Sequence, residues 1–269
     1  LWLNQLYYDD FKGNTFEVEG DGFVYSGNEI DYAAVTQVNL SFKSLSTTVN
    51  FLHKFFNAEQ IFLQNNSTVP FIDVSANLKL TVFVCDVNLL TSLNLSNNVL
   101  LTILRCARNL LTSLDISTNI LLTEVICNNQ NLTGLNTSNN VLLQKLHCYN
   151  NPLNSLDLQY NAALVDLTCL SNQLTSLDTS NNVLLTVIRV EFNFLTELDI
   201  SNNTLLTELQ CHNNQLDAAV NSQLLIDLDA HGLSNGYFRG SIYGGGTLTT
   251  AGATAKANLQ AKGWTIVGI

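Results

Sequence analysis

Six cysteines stand at positions 85, 106, 127, 148, 169 and 211. Successive gaps are 21 residues, except the last, which is twice 21 and holds Val190 at the skipped position. Such thiols could pair as disulfides, hold a soft metal or pack as small apolar groups. An even count in a secreted chain ordinarily suggests disulfides. Register favours the third chemistry: all six share one position of a repeat, and valine takes that position once. A buried ladder of free thiols is therefore expected. His147 precedes Cys148 and His212 follows Cys211. Neighbours on a strand point to opposite faces, so these imidazoles are not expected to join the thiols in a ligand set.

A second ladder runs through Asn94, Asp115, Asn136, Asp157, Asp178 and Asp199. Stacked carboxylates at Asp115, Asp157, Asp178 and Asp199 could offer oxygen ligands to Ca²⁺. Alternatively they accept hydrogen bonds from the Ser and Thr residues around them; no other cofactor is expected. No catalytic constellation is present: the chain has no HExxH, no P-loop, no GxSxG and no GxGxxG opening a helix. Gly244-Gly245-Gly246 lacks the P-loop lysine and reads as a tight turn. The expectation is a non-enzymatic protein.

The elements that position these residues follow from the same period. Copies of LTSLNLSNN begin at Leu90, Leu111, Leu132, Leu153, Leu174 and Leu195. Between them runs LTVFVC at 80, LTILRC at 101, and so on to LTELQC at 206. Each 21-residue coil is thus a half-unit of ten residues and one of eleven, both reading LxxLx-apolar-xxN. Positions 1, 4 and 6 point inward. Positions 4 and 6 have strand spacing, and Asn at position 9 suits a turn. Each half-unit is expected to be a short strand followed by a turn. Gln130 replaces a turn Asn, and Thr137 and Thr179 replace inward aliphatics; these departures are expected to weaken local packing. One coil cannot bury its apolar side alone, so coils must stack and be capped.

This pattern resembles the leucine-rich repeat family, in its bacterial form with nested ten- and eleven-residue units. The resemblance implies a β-solenoid of mainly parallel strands, with a β-rich N-terminal cap over 1–34, the solenoid over 35–216 and an α/β C-terminal cap over 217–269. Within the first cap, Gly20-Asp21-Gly22 suggests a hairpin. Residues 46–56 read as a short helix with Val49, Leu52 and Phe56 on one face. In the last cap, helices are expected over 217–232 and 248–262, with strands near 236 and at the C-terminus. The tail also resembles leucine-rich surface proteins of flavobacteria and their phages.

Composition bounds the function classes. The excess of leucine, 48 residues, is the inward ladder, and much of the excess of asparagine, 36 residues, is the turn ladder. Charged residues are 12% of the chain, about half the usual share. A net charge of −11 without a basic cluster argues against nucleic-acid binding. No run of about 18 apolar residues is present, so membrane insertion is not expected. The chain begins at Leu1 with no signal-peptide pattern, as a processed or partial chain would.

The coils differ from one another on one side only. Outward positions of the second half-unit are monotonous, mostly Ser, Asp and Asn. Those of the first half-unit are diverse and carry Val84, Ile103, Arg105, Arg108, Ile126, His147, Tyr149, Arg189, Glu191, Phe192 and His212. A stacked array constrains only its inward residues, so neutral drift could explain the diversity. Apolar and aromatic residues beside arginines are also the residue types that dominate interfaces. These eleven residues are the candidate partner-binding set. The family resemblance implies a protein or glycan partner at a bacterial surface, extracellular or virion-exposed, with phage receptor binding and self-association as further expectations. The alternative is a structural subunit or decoration protein of a larger assembly such as a virion.

Overall fold

The first half-unit of every coil is extended for three residues and bonds in parallel register to the same residues of neighbouring coils. The computed structural model describes residues 35–41 and 51–269, and the main chain of 15–17. The chain divides into two units, Leu1–Asn131 and Leu132–Ile269. In the first, β1 (Thr15–Glu17), β2 (Gln37–Asn39), β3 (Gln60–Phe62), β4 (Val82–Val84), β5 (Ile103–Arg105) and β6 (Glu124–Ile126) lie side by side in chain order. Their central residues Ile61, Phe83, Leu104 and Val125 face each other in register. The second unit continues the plan with β7 (Lys145–His147), β8 (Asp166–Thr168), β9 (Val187–Arg189), β10 (Glu208–Gln210), β11 (Tyr237–Arg239) and β12 (Thr265–Val267). Every strand pair described within either unit is parallel, which gives a β-solenoid.

Burial follows the sequence register. In a typical coil Leu101, Leu104, Cys106 and Leu111 are fully buried. All six cysteines are buried and none forms a disulfide. Burial pushes the thiols of Cys85, Cys106, Cys148, Cys169 and Cys211 up, those of Cys148 and Cys211 to about 12.

The second half-units are not strands. Between coils their backbone makes a single main-chain bond, such as Leu110 N–H to Leu90 C=O and Phe194 N–H to Leu174 C=O. The reason lies at position 5. Asp115, Asp157, Asp178 and Asp199 each turn Oδ1 back onto the N–H two residues on, at 2.9 Å. This side-chain turn competes with a ladder. The second half-units, expected to be short strands, form a row of such turns.

Asparagine satisfies the coil interior. Asn109 donates to the C=O of Cys85 and Cys106 at 3.0 and 2.8 Å and accepts from Leu90 N–H at 3.1 Å. Gln130 keeps two of these bonds, donating to Cys106 C=O of the preceding coil and accepting from Leu111 N–H, so it still serves as a turn residue. Thr137 and Thr179 also correct the expectation. Thr137 Oγ1 donates to Asn161 Oδ1, and Thr179 Oγ1 to Asn203 Oδ1, each at 2.8 Å. Where Val74 and Leu158 occupy the same position, the corresponding Asn98 and Asn182 Oδ1 atoms lack a partner. A hydroxyl replaces apolar contact with a buried hydrogen bond.

At the N-terminal end, the expected hairpin at Gly20–Gly22 and residues 46–50 of the expected helix lie outside the described residues. Leu52–Lys54 form a single 3₁₀ turn. Leu52 is buried, but the turn directs Phe55 inward with it and leaves Phe56 about half exposed. At the C-terminal end, α1 (Ala218–Ala230) starts at Asp217, whose carboxylate caps Val220 N–H. Gly232 follows it with a left-handed φ of 75°. α2 (Thr250–Ala261) is capped by Thr249 and packs on α1. The sheet does not stop at Leu216: β11 and β12 add to β10 in parallel, and the helices replace the second half-units.

Candidate functional site

Outward residues of the strands form two columns, one from position 3 and one from position 5. In the first unit they include the apolar Phe62, Val82, Val84, Ile103 and Ile126 beside the polar Gln37, Asn39, Gln60, Arg105 and Glu124. Register aligns Phe62 with Val84 and Val82 with Ile103. Ile103 and Ile126 are half-buried, because side chains one strand apart cover each other. Val84 departs from the expected exposure: it is 8% exposed, enclosed between its column neighbours Phe62 and Arg105. Arg105 Nε donates to Glu124 Oε1 at 2.6 Å across β5 and β6. Arg108, at the turn after β5, is exposed and makes no ion pair among the described residues.

In the second unit the corresponding positions carry charge. His147 bonds Asp166 at 3.0 Å, and Arg189 grips Glu208 with two bonds of 2.7 and 2.8 Å. Each pair joins position 5 of one strand to position 3 of the next. Burial opposes the charge on Asp166, yet the His147 hydrogen bond and the charges of His147, Lys145 and Arg189 hold its carboxyl below the usual range. The Arg189 hydrogen bond likewise lowers Glu208 against the effect of burial. A half-exposed pair of this kind contributes little to stability, but it fixes where the charges stand.

Position 7 lies beyond the strand, where the chain turns in over its own coil. Ala107, Asn128, Glu191 and His212 are all buried there, with Glu191 and His212 at 7% and 6% exposure. The expectation that Glu191 and His212 are open to a partner is therefore corrected. Tyr149, at the same position, is half-buried. Burial raises the Glu191 carboxyl above its usual range and lowers the His212 imidazole. Glu191 Oε2 and His212 Nδ1 have no hydrogen-bond partner. Phe192 and the His212 ring meet in a T-shaped contact, with centroids 5.3 Å apart and planes at 72°.

Position 8 is left-handed throughout. Val87, Arg108, Asn129, Asn150, Ser171, Phe192 and Asn213 have φ between 53° and 58°. Asparagine tolerates this region, whereas bulky and β-branched residues are strained in it. Main-chain bonds between coils impose it: Arg108 N–H donates to Asn128 C=O at 2.9 Å and Phe192 N–H to His212 C=O at 3.2 Å. The conformation throws the position 8 side chain out, so Phe192 is 52% exposed.

Several residues on this face escaped the sequence reading. Tyr237 and Arg239 of β11 extend the two columns beyond the last regular repeat; the alternation within GYFRG was the signal. Phe62 opens the first unit's apolar patch. Phe194, 49% exposed, stands two residues from Phe192. Among the described residues no group of three or more His, Cys, Asp or Glu could hold a metal.

No known family model matches the sequence, and no curated protein matches it. Among solved structures, the functional domain of InlJ from Listeria monocytogenes, which includes a cysteine ladder, is 30% identical with a TM-score of 0.70. That match covers 85% of this chain and 49% of the InlJ domain, so this chain spans about half of it. The chain has a leucine-rich repeat fold. An internalin of the same species, InlF, is 16% identical with a TM-score of 0.64, covering 94% of this chain and 86% of that one. A leucine-rich repeat protein of Leptospira interrogans is 18% identical with a TM-score of 0.60, over 88% of this chain and 74% of that one. The likeness of the tail to flavobacterial and phage proteins finds no support among these structures.

Proposed function

We propose that this leucine-rich repeat chain is a non-enzymatic binding module that engages a protein partner at a bacterial surface. The strand columns and the left-handed turns beside them form the recognition face. The observation that carries this reading is Phe192. It is an exposed aromatic held in a left-handed conformation that Asn occupies at 65, 129, 150 and 213. The fold would be served at least as well by Asn there, which leaves the side chain's outward contact as the reason for Phe. Arg239 stands nearby, exposed and in no ion pair among the described residues. An aromatic and an unpaired arginine at the rim of an ordered charge lattice suit a protein surface. The lattice itself, with Arg189, Glu208, His147 and Asp166 paired internally, supplies register rather than free charge.

Capture from a detergent extract of cell-surface proteins tests the reading. The wild-type chain should retain a partner that a Phe192→Asn, Arg239→Ser variant loses. A control on the monotonous side, Asp178→Asn with Ser180→Ala, should retain it. Loss by the control alone overturns the assignment.

A further inference from the structure

The last two residues of the second half-unit show a pattern that neither the core nor the recognition face requires. In the second unit Val141, Leu142, Val183 and Leu184 are between 45% and 52% exposed. They stand as two apolar ridges, two coils apart. The coil between them has Ala162 and Ala163 in the same places, a shallow valley flanked by Tyr160 at 53% exposure. Leu205 extends the edge at 46%.

Charge is absent from this edge. The stretches 138–144, 159–165, 180–186 and 201–207 contain no Lys, Arg, Asp or Glu. The chain carries a net −11, so most of its surface repels a second copy. This edge does not. The six half-exposed side chains leave on the order of 500 Å² of apolar surface, within the range at which a patch marks an interaction site. Two such surfaces together bury about 1,000 Å², the lower limit for a specific interface.

We infer that this apolar edge is a self-association surface and that its occupant is a second copy of this chain. Spacing supports that occupant. Ridges separated by a whole number of coils are matched by another array with the same rise per coil. Ridge, valley, ridge is also symmetric about the Ala162–Ala163 coil. A two-fold axis there sets Val141 and Leu142 of one copy against Val183 and Leu184 of the other, as an isologous interface demands. Tyr160 of each copy then covers the other's alanine valley. The surface is separate from the recognition face, so either assignment can fail without the other.

Sedimentation equilibrium of the full chain over a wide concentration range reads the result. The wild-type chain should show a reversible monomer–dimer equilibrium. Leu142→Glu with Leu184→Glu should weaken association at least tenfold. Because both side chains are exposed, its circular dichroism and melting temperature should be unchanged. A wild-type chain that stays monomeric throughout, or a folded variant that dimerises as well as wild type, overturns the proposal. The two-fold register has its own readout. The native thiols are buried, so introduced cysteines are the reactive ones. An oxidised mixture of Ser138→Cys and Ser180→Cys chains should give a mixed disulfide dimer in preference to either pure one. A preference for either pure dimer overturns the two-fold arrangement.

Discussion

Asn193 and Asn214 occupy the same position in successive coils, yet removing them should cost different amounts. Asn193 donates to the C=O of Cys169, Val190 and Glu191 at 3.1, 3.0 and 3.4 Å and accepts from Leu174 N–H at 3.0 Å. A simple count predicts four orphaned groups in Asn193→Ala. The neighbouring rungs change that. Cys169 C=O also accepts from Asn172, Val190 C=O from Asn214, and Glu191 C=O from Ser171 N–H. Leu174 N–H alone loses its partner. Asn214 is the last rung of its ladder. It donates to Val190 and Cys211 C=O at 3.0 Å and accepts from Leu195 N–H at 3.0 Å. Val190 C=O keeps Asn193, but Cys211 C=O and Leu195 N–H are both orphaned. An orphaned buried polar group costs about 1–3 kcal/mol. Asn193→Ala should thus cost about 2 kcal/mol and Asn214→Ala about 4. Urea unfolding followed by far-ultraviolet circular dichroism measures both. Equal costs, or a larger cost at Asn193, would refute the idea that adjacent rungs share acceptors.

Three further outcomes follow from the same bonds. Thr137→Val removes the donor to Asn161 Oδ1 at nearly constant volume; a loss of about 1 kcal/mol is expected, seen as a fall of about 2–4 °C in Tm. The Glu191 carboxyl is raised by burial above its ordinary 4.5, so its stabilising contribution is present below that value and lost as pH rises through the folded one. Glu191→Gln should therefore raise Tm at about pH 7 and leave it nearly unchanged at about pH 4, in thermal scans at the two conditions. With thiols pushed to about 12 at Cys148 and Cys211 and all six buried, alkylation at about pH 8 should label none natively and all six in denaturant. Native labelling would mean that the coils open.

Much of the fold is legible in the sequence because a stacked coil repeats its inward residues. Leu104, Cys106 and Asn109 announce their roles by recurring every 21 residues. What the period does not carry is less legible. The half-units look alike as patterns, but Asp115 and its equivalents turn back onto their own main chain, so strands form only in the first. Thr137 and Gln130 look like defects until the buried atoms they satisfy are seen. On the face itself, alternation predicts direction and not burial. Glu191 and His212 point away from the core as position 7 residues, yet the inward turn covers them. Arg105 and Arg189 read as free cations because their partners Glu124 and Glu208 lie 19 residues on, at a different position of the next coil. Tyr237 and Arg239 join the face through a register that outlasts the repeat.

The central claim is that Phe192 serves a partner rather than the fold. Relief of the left-handed strain, about 1 kcal/mol, and loss of the contact with His212, about 1 kcal/mol, oppose each other in Phe192→Asn. The affinity of this variant for the captured partner, measured by titration calorimetry beside its unfolding free energy, tests the claim directly. The expected result is binding weakened roughly thirtyfold or more, as for a hot spot, with stability within about 1 kcal/mol of wild type. Unchanged affinity would contradict the account.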